Sequence, residues 1–135
     1  MRLGILTAAL MLAAACAGQD RPAPGAPTVQ SLIGDAACRT NDQCATVGVG
    51  AKACGGPAAY LAWSTLRTDE QRLRALAERE GQAQRKQMQA RGEMSDCAIL
   101  ADPGAYCDRT QAAGGDLGVC RLQAAGGPKS GPASR

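Results

Sequence analysis

The chain of 135 residues has no histidine and no phenylalanine. The side chain that most often moves protons near neutral pH is therefore missing. Aromatic residues are limited to Tyr60, Trp63 and Tyr106, so the large apolar groups that dominate ordinary cores are scarce. Charge of one sign is scarce as well: 15 basic residues face 12 acidic ones, for a net of +3, which is no electrostatic footprint for nucleic acid. The apolar run from Leu3 to Ala15 is about 13 residues against the roughly 20 needed to span a bilayer, which argues against a permanent transmembrane helix. Alanine makes up much of the hydrophobic content and buries little area per residue. A domain of this size hides only about 60–65% of its unfolded surface, so something besides a core must hold it.

Seven cysteines are present, and the first stands apart. Arg2 supplies a positive start, Leu3 to Ala15 carry no charge, and Ala13-Ala14-Ala15 are small enough for a peptidase pocket, which together read as an export signal. Cys16 follows directly. The run Leu12-Ala13-Ala14-Ala15-Cys16 resembles the lipobox of bacterial lipoproteins; Ala13 stands where that family usually has Leu, a position at which Ala is tolerated. The resemblance implies that the Cys16 thiol receives a diacylglycerol, that residues 1–15 are removed and that the new amine is acylated. Each buried methylene contributes about 0.8 kcal/mol, and three acyl chains exceed the two signals that stable anchoring needs. Ala17, Gly18 and Gln19 follow, with no Asp next to the cysteine; among the lipoproteins it resembles, that absence implies the outer membrane, facing the periplasm. The competing reading is a plain signal peptide cut nearby, leaving an odd thiol.

Six cysteines remain: Cys38, Cys44, Cys54, Cys97, Cys107 and Cys120. An even set in an exported chain is read as three disulfides, with 15 connectivities open, each stabilising by roughly 2–4 kcal/mol. A metal site would need close cysteine pairs or histidine; the intervals here are five, nine, forty-two, nine and twelve residues. No metal and no cofactor is therefore expected.

The expected fold class is α+β: a small disulfide-stabilised domain in which a short antiparallel sheet is packed by one long helix. Four regions are expected. Residues 1–15 form the signal peptide, and residues 16–34 a lipidated N-terminus and Pro/Ala/Gly tether with Pro22, Pro24 and Pro27 and too few apolar residues to pack. Residues 35–123 form the domain, and residues 124–135 a disordered tail.

Within the domain, Thr46, Val47 and Val49 predict a strand after Cys44, weakened or bulged at Gly48 and Gly50. Gly55-Gly56-Pro57 breaks the chain, and Tyr60 to Thr65 predicts a second short strand with Tyr60, Leu61 and Trp63 in the core. Asp69 to about Arg91 predicts the long helix. Thr68 is its expected N-cap, with Gln71 closing a capping box, and Gly92 its left-handed C′ residue. Its apolar stripe runs through Leu66, Leu73, Leu76 and Ala77, then weakly through Ala83 and Ala90 to Met94; Gly81 interrupts it at about 1 kcal/mol relative to alanine. From Cys97 to Leu122, short strands separated by turns at Asp102-Pro103-Gly104 and Gly114-Gly115 are expected, with Ile99, Leu100, Tyr106, Val119 and Leu122 as buryable residues.

The order Asp42-Gln43-Cys44, Ala53-Cys54-Gly55-Gly56-Pro57 with Tyr60 and Ser64, a charged helix, Asp96-Cys97, Ala105-Tyr106-Cys107 and Val119-Cys120-Arg121-Leu122 resembles a group of small bacterial secreted or lipid-anchored proteins whose function is not established. In that group the last two cysteines flank a tight turn, whereas Asp108 to Val119 is longer here. The resemblance implies fold and location and carries over no catalytic site.

Chemistry-bearing patterns are absent from the sequence. Ser31, Ser64, Ser95, Ser130 and Ser134 lie in no Ser-x-x-Lys pattern, Asp96, Asp102, Asp108 and Asp116 have no calcium-loop spacing, and Gly48-x-Gly50 lacks the rest of a phosphate loop. The expectation is a protein that is not an enzyme: a cell-envelope lipoprotein held to the membrane by its N-terminal lipid, displaying a binding or structural module to an envelope protein or glycan partner, with no nucleic acid involved. The alternative is a peptidase inhibitor presenting Arg109, within Asp108-Arg109-Thr110, on the segment between Cys107 and Cys120.

Overall fold

The computed structural model describes residues 25–110 and 116–124. Cys16, the signal peptide, the first part of the tether, the Gly114-Gly115 turn and the tail from residue 125 lie outside the described residues. The expected fold class is observed, a helix over small antiparallel sheets with three cystine bridges, although the strands divide into two sheets.

The first element is one the tether expectation did not include. Thr28 caps a short helix, α1 (Val29–Ile33), its hydroxyl accepting from Ser31 N while the Ser31 hydroxyl takes the Thr28 N–H. Val29 and Ile33 stand four apart, which puts them on one face, and both are buried in the core. Within the expected tether of residues 16–34, the described part from Thr28 is packed rather than free: two aliphatic residues at helical spacing suffice to dock α1 against the core. Gly34 and Ala36, both at positive φ, then turn the chain into β1 (Ala37–Cys38).

A 3₁₀ turn over Asn41–Gln43 leads into β2 (Cys44–Val49). It pairs with β3 (Ala59–Ser64) as an antiparallel hairpin, Cys44 opposite Ser64 and Ala45 opposite Trp63. The β-branched residues form the expected strand, and Gly50, at φ +68, ends it rather than bulging it. On β3 the two-residue period places Leu61 and Trp63 on one face. Trp63, 1% exposed, is the largest fully buried side chain. Tyr60, expected in the core, is one residue out of phase and only half-buried. Ser64 closes the strand by donating its hydroxyl to Ala37 O, a buried bond that ties this hairpin to β1.

The long helix α2 spans Glu70–Arg91. Its N-cap is Asp69, whose carboxylate accepts from Arg72 N at 2.7 Å, and not Thr68 as expected. Thr68 is buried, and its hydroxyl donates to Leu32 O in α1. Asp69, one position nearer the first turn, carries the charge that the helix dipole favours. Gly92 takes the expected left-handed conformation, with φ 65 and ψ 27.

The buried face of α2 is Leu73, Leu76, Ala77, Gly81 and Met88. The expected continuation through Ala83 and Ala90 to Met94 is corrected, since those three and Leu66 are exposed. Gly81 has a packing role: a Cβ built there would lie 2.9 Å from the Gly50 carbonyl oxygen. The helix can approach the β2–β3 hairpin this closely only because position 81 has no side chain.

The last pair, β4 (Ala105–Asp108) and β5 (Gly118–Leu122), is antiparallel with Cys107 opposite Cys120, and β1 adds to the other edge of β5. Val119, expected to be buryable, points outward between buried Gly118 and Cys120, as strand alternation requires. From Glu93 to Gly104 the chain forms no helix, strand, turn or bend, and Ile99 and Leu100 are exposed rather than buried.

One core joins these pieces: Val29, Ile33, Cys38, Val47, Trp63, Leu73, Leu76, Ala77 and Cys120, with Leu32 and Leu61 packed against it. Among the described residues, no helix is long and apolar enough to cross a membrane.

Candidate functional site

The six cysteines are the sequence-expected site residues that the structure describes, and it joins them in pairs: Cys38–Cys107, Cys44–Cys120 and Cys54–Cys97, with Cα separations of 5.9, 5.4 and 5.2 Å. These separations suit cystine geometry. The first two bridges cross the core. Each takes one residue of the β4–β5 pair to the N-terminal part of the domain, Cys107 to β1 and Cys120 to β2, although Cys107 and Cys120 face each other. The Cys38, Cys44 and Cys107 sulfurs consequently lie within 4.8 Å of one another, all engaged in bridges and none free as a thiolate ligand.

The third bridge lies at the surface, where Cys54 and Cys97 are exposed. Around it Lys52 makes a clamp: Nζ is 3.0 Å from Asp96 Oδ1 and donates to Ala98 O at 2.8 Å. The Lys52 hydrogen bond, followed by the Ala98 N–H and the lysine charge, holds the Asp96 carboxyl below its usual pKa. Farther along, Thr46 Oγ1 donates to Asp102 Oδ2 at 2.6 Å, while Asp102 Oδ1 accepts from Gly104 N.

Arg109 follows β4 directly and is exposed. The cysteines that bracket it are not bonded to each other; each is tied to a different residue of the domain. Its neighbour Asp108, with a side chain 11% exposed, accepts from the Thr110 hydroxyl and N–H and faces Arg121 Nε at 2.9 Å. The Thr110 hydroxyl is the main cause of an Asp108 pKa below the ordinary carboxylate value, with Thr110 N–H and Arg121 adding to it. Residues 111–115 lie outside the described residues.

A groove that sequence reasoning did not anticipate runs between α2 and the β2–β3 hairpin. Its volume is about 390 Å³; Val47, Pro57 and Tyr60 offer apolar surface, and Arg74, Glu78 and Arg85 line its helix side. A second hollow of about 460 Å³ lies across Tyr60 and Arg74 toward Asp102 and Ala105. Arg74 is paired with Glu70, Nε to Oε1 at 2.7 Å, whereas Arg85 makes no ion pair among the described residues. Glycines at 48, 50 and 81 line the groove. That clustering of glycines on facing elements was the available signal, and it requires knowing that the elements face.

Comparison with protein-family models, curated proteins and solved structures finds no match to this chain.

Proposed function

We propose that the protein is a cell-envelope lipoprotein, anchored through acylated Cys16, that displays its disulfide-held domain to an envelope protein or glycan without catalysing a reaction. The observation that carries this reading is the pairing of the cysteines. With Cys38, Cys44, Cys54, Cys97, Cys107 and Cys120 joined to one another, Cys16 is the odd one, and it is also the residue that the lipobox resemblance assigns to lipid. Three bridges imply an oxidising compartment such as the periplasm, and the run of small residues after Cys16, without Asp, favours the outer membrane.

The non-catalytic part of the reading draws on charge. Asp96 and Asp108 are both stabilised in the ionised form by donors around them, the opposite of the raised pKa that a general acid requires. These carboxylates brace loops.

The test is the intact mass of the mature protein extracted from membranes. The expected species begins at Cys16, lacks residues 1–15 and carries a diacylglycerol and an amide-linked acyl chain, both lost in Cys16→Ser. A chain that retains its leader, or one with an unmodified Cys16, contradicts the proposal.

A further inference from the structure

Between the two braces described above, the backbone of Ile99, Leu100 and Ala101 makes no hydrogen bond among the described residues. Ile99 is 96% exposed and Leu100 41%. An aliphatic side chain standing free on a segment of irregular chain is ordinarily a mobile one. This one is held on both sides. Upstream are the Cys54–Cys97 bridge and the Lys52 clamp on Asp96 and Ala98; downstream is Asp102, fixed to Thr46 on β2. Cys97 itself sits at φ +50, a backbone state that non-glycine residues rarely adopt and that persists where the surroundings impose it.

We infer that residues 97–102 form an inhibitory loop that occupies the cleft of an endopeptidase specific for aliphatic side chains, with Ile99 in the primary pocket. The inference rests on the reading of the domain as a displayed binding module and names its partner class. Such a cleft binds extended backbone through main-chain hydrogen bonds and reads one side chain in a pocket. The loop offers both: unpaired N–H and C=O groups from Ile99 to Ala101, on chain without a turn or bend, and a protruding aliphatic group. Fixing the segment beforehand removes much of the ordering cost of binding. A bilayer surface fits less well, because interfacial segments favour cationic and aromatic flanks and this tip is flanked by Asp96 and Asp102.

The test is steady-state inhibition by the mature, disulfide-intact protein in detergent. An elastase-type serine peptidase is the probe, a trypsin-type peptidase the comparator, and chromogenic peptides the substrates. Competitive inhibition of the elastase-type enzyme at micromolar protein or below is expected. Ile99→Asp should weaken it by at least about 30-fold, the scale of a central hot-spot residue, and Arg109→Ala should leave it unchanged. Ile99 touches no core residue, so folding of the variant is checked by Trp63 fluorescence. The inference is overturned by absence of inhibition, by inhibition that survives Ile99→Asp, by rapid cleavage within 97–102, or by inhibition of the trypsin-type enzyme alone that disappears in Arg109→Ala. Any of these leaves the mass of the lipid anchor, and so the envelope reading, to stand or fall separately.

Discussion

Replacing Gly81 with alanine sets two effects of known size against each other. At a helix interior, glycine to alanine ordinarily stabilises by about 1 kcal/mol, through propensity and a less flexible unfolded chain. Here the new Cβ would stand 2.9 Å from the Gly50 carbonyl oxygen, closer than real Cβ contacts, and a backbone atom cannot swing aside. The facing turn has little freedom: Gly50 lies at φ +68 with Gln84 Oε1 and Ala58 Cβ crowded around it, and Ala51 N donates to Gln84 Oε1 at 3.1 Å one helical turn farther on. Separating α2 from the hairpin loosens contacts to Val47 and Ala77, and overpacking of this kind costs about 1–3 kcal/mol. The sum predicts that Gly81→Ala destabilises by about 0–2 kcal/mol and Gly81→Leu by clearly more. Exposed Ala83→Gly, two residues on, is the control for propensity and should lose about 1 kcal/mol. Urea unfolding followed by the fluorescence of Trp63, the single tryptophan, measures all three. Stabilisation of Gly81→Ala by the full propensity difference would refute the close approach.

Asp69→Ala should cost about 1 kcal/mol as the loss of an N-cap, and Thr68→Val should also destabilise by removing the hydroxyl that donates to Leu32 O; denaturation midpoints of the two variants separate a true cap from a tertiary bond. Trp63→Ala should lose about 3–5 kcal/mol, whereas Trp63→Phe should lose far less, because the buried indole N–H has no hydrogen-bond partner among the described residues and its desolvation penalty disappears; far-UV circular dichroism in denaturant reads both. The depressed carboxyl pKa values of Asp96 and Asp108 give stability that is present above the ordinary value of about 3.9 and lost as pH falls through the lower folded-state values, so the double variant with Asn at both positions should flatten the acid limb of the stability profile below about pH 4. Removing the surface bridge with Cys54→Ala and Cys97→Ala should cost up to about 4 kcal/mol, from a closure of 43 residues, and leave a folded core; removing Cys38–Cys107 should cost more, since Cys38 is fully buried.

The elements legible in the sequence are those whose signals are local. Thr46, Val47 and Val49 marked β2, and Asp69, Glu70 and Gly92 marked the ends of α2 to within a residue. The exact cap was not legible, because Thr68 and Asp69 both qualify locally and Leu32, 36 residues away in sequence, takes the threonine hydroxyl. A five-residue helix such as α1 is too short to show periodicity, so Val29 and Ile33 read as stray residues in a proline-rich segment. Gly81 reads locally as a break in a helix, because the Gly50 carbonyl that demands a missing side chain there is distant in sequence. Ile99 and Leu100 looked like strand residues, yet the Cys54–Cys97 bridge and the Lys52 clamp hold them outside the sheet. The cystine pairing follows from how β4 and β5 pack on β1 and β2, information that spacing alone does not carry.

Three bridges hold a core with few large side chains, and the proposal is that Cys16 is thereby left for lipid. Peptide mapping of the membrane-extracted protein without reduction tests it most directly. The expected linked peptides join Cys38 to Cys107, Cys44 to Cys120 and Cys54 to Cys97, with Cys16 in none. A Cys107–Cys120 link, or Cys16 found in a bridge, would contradict it.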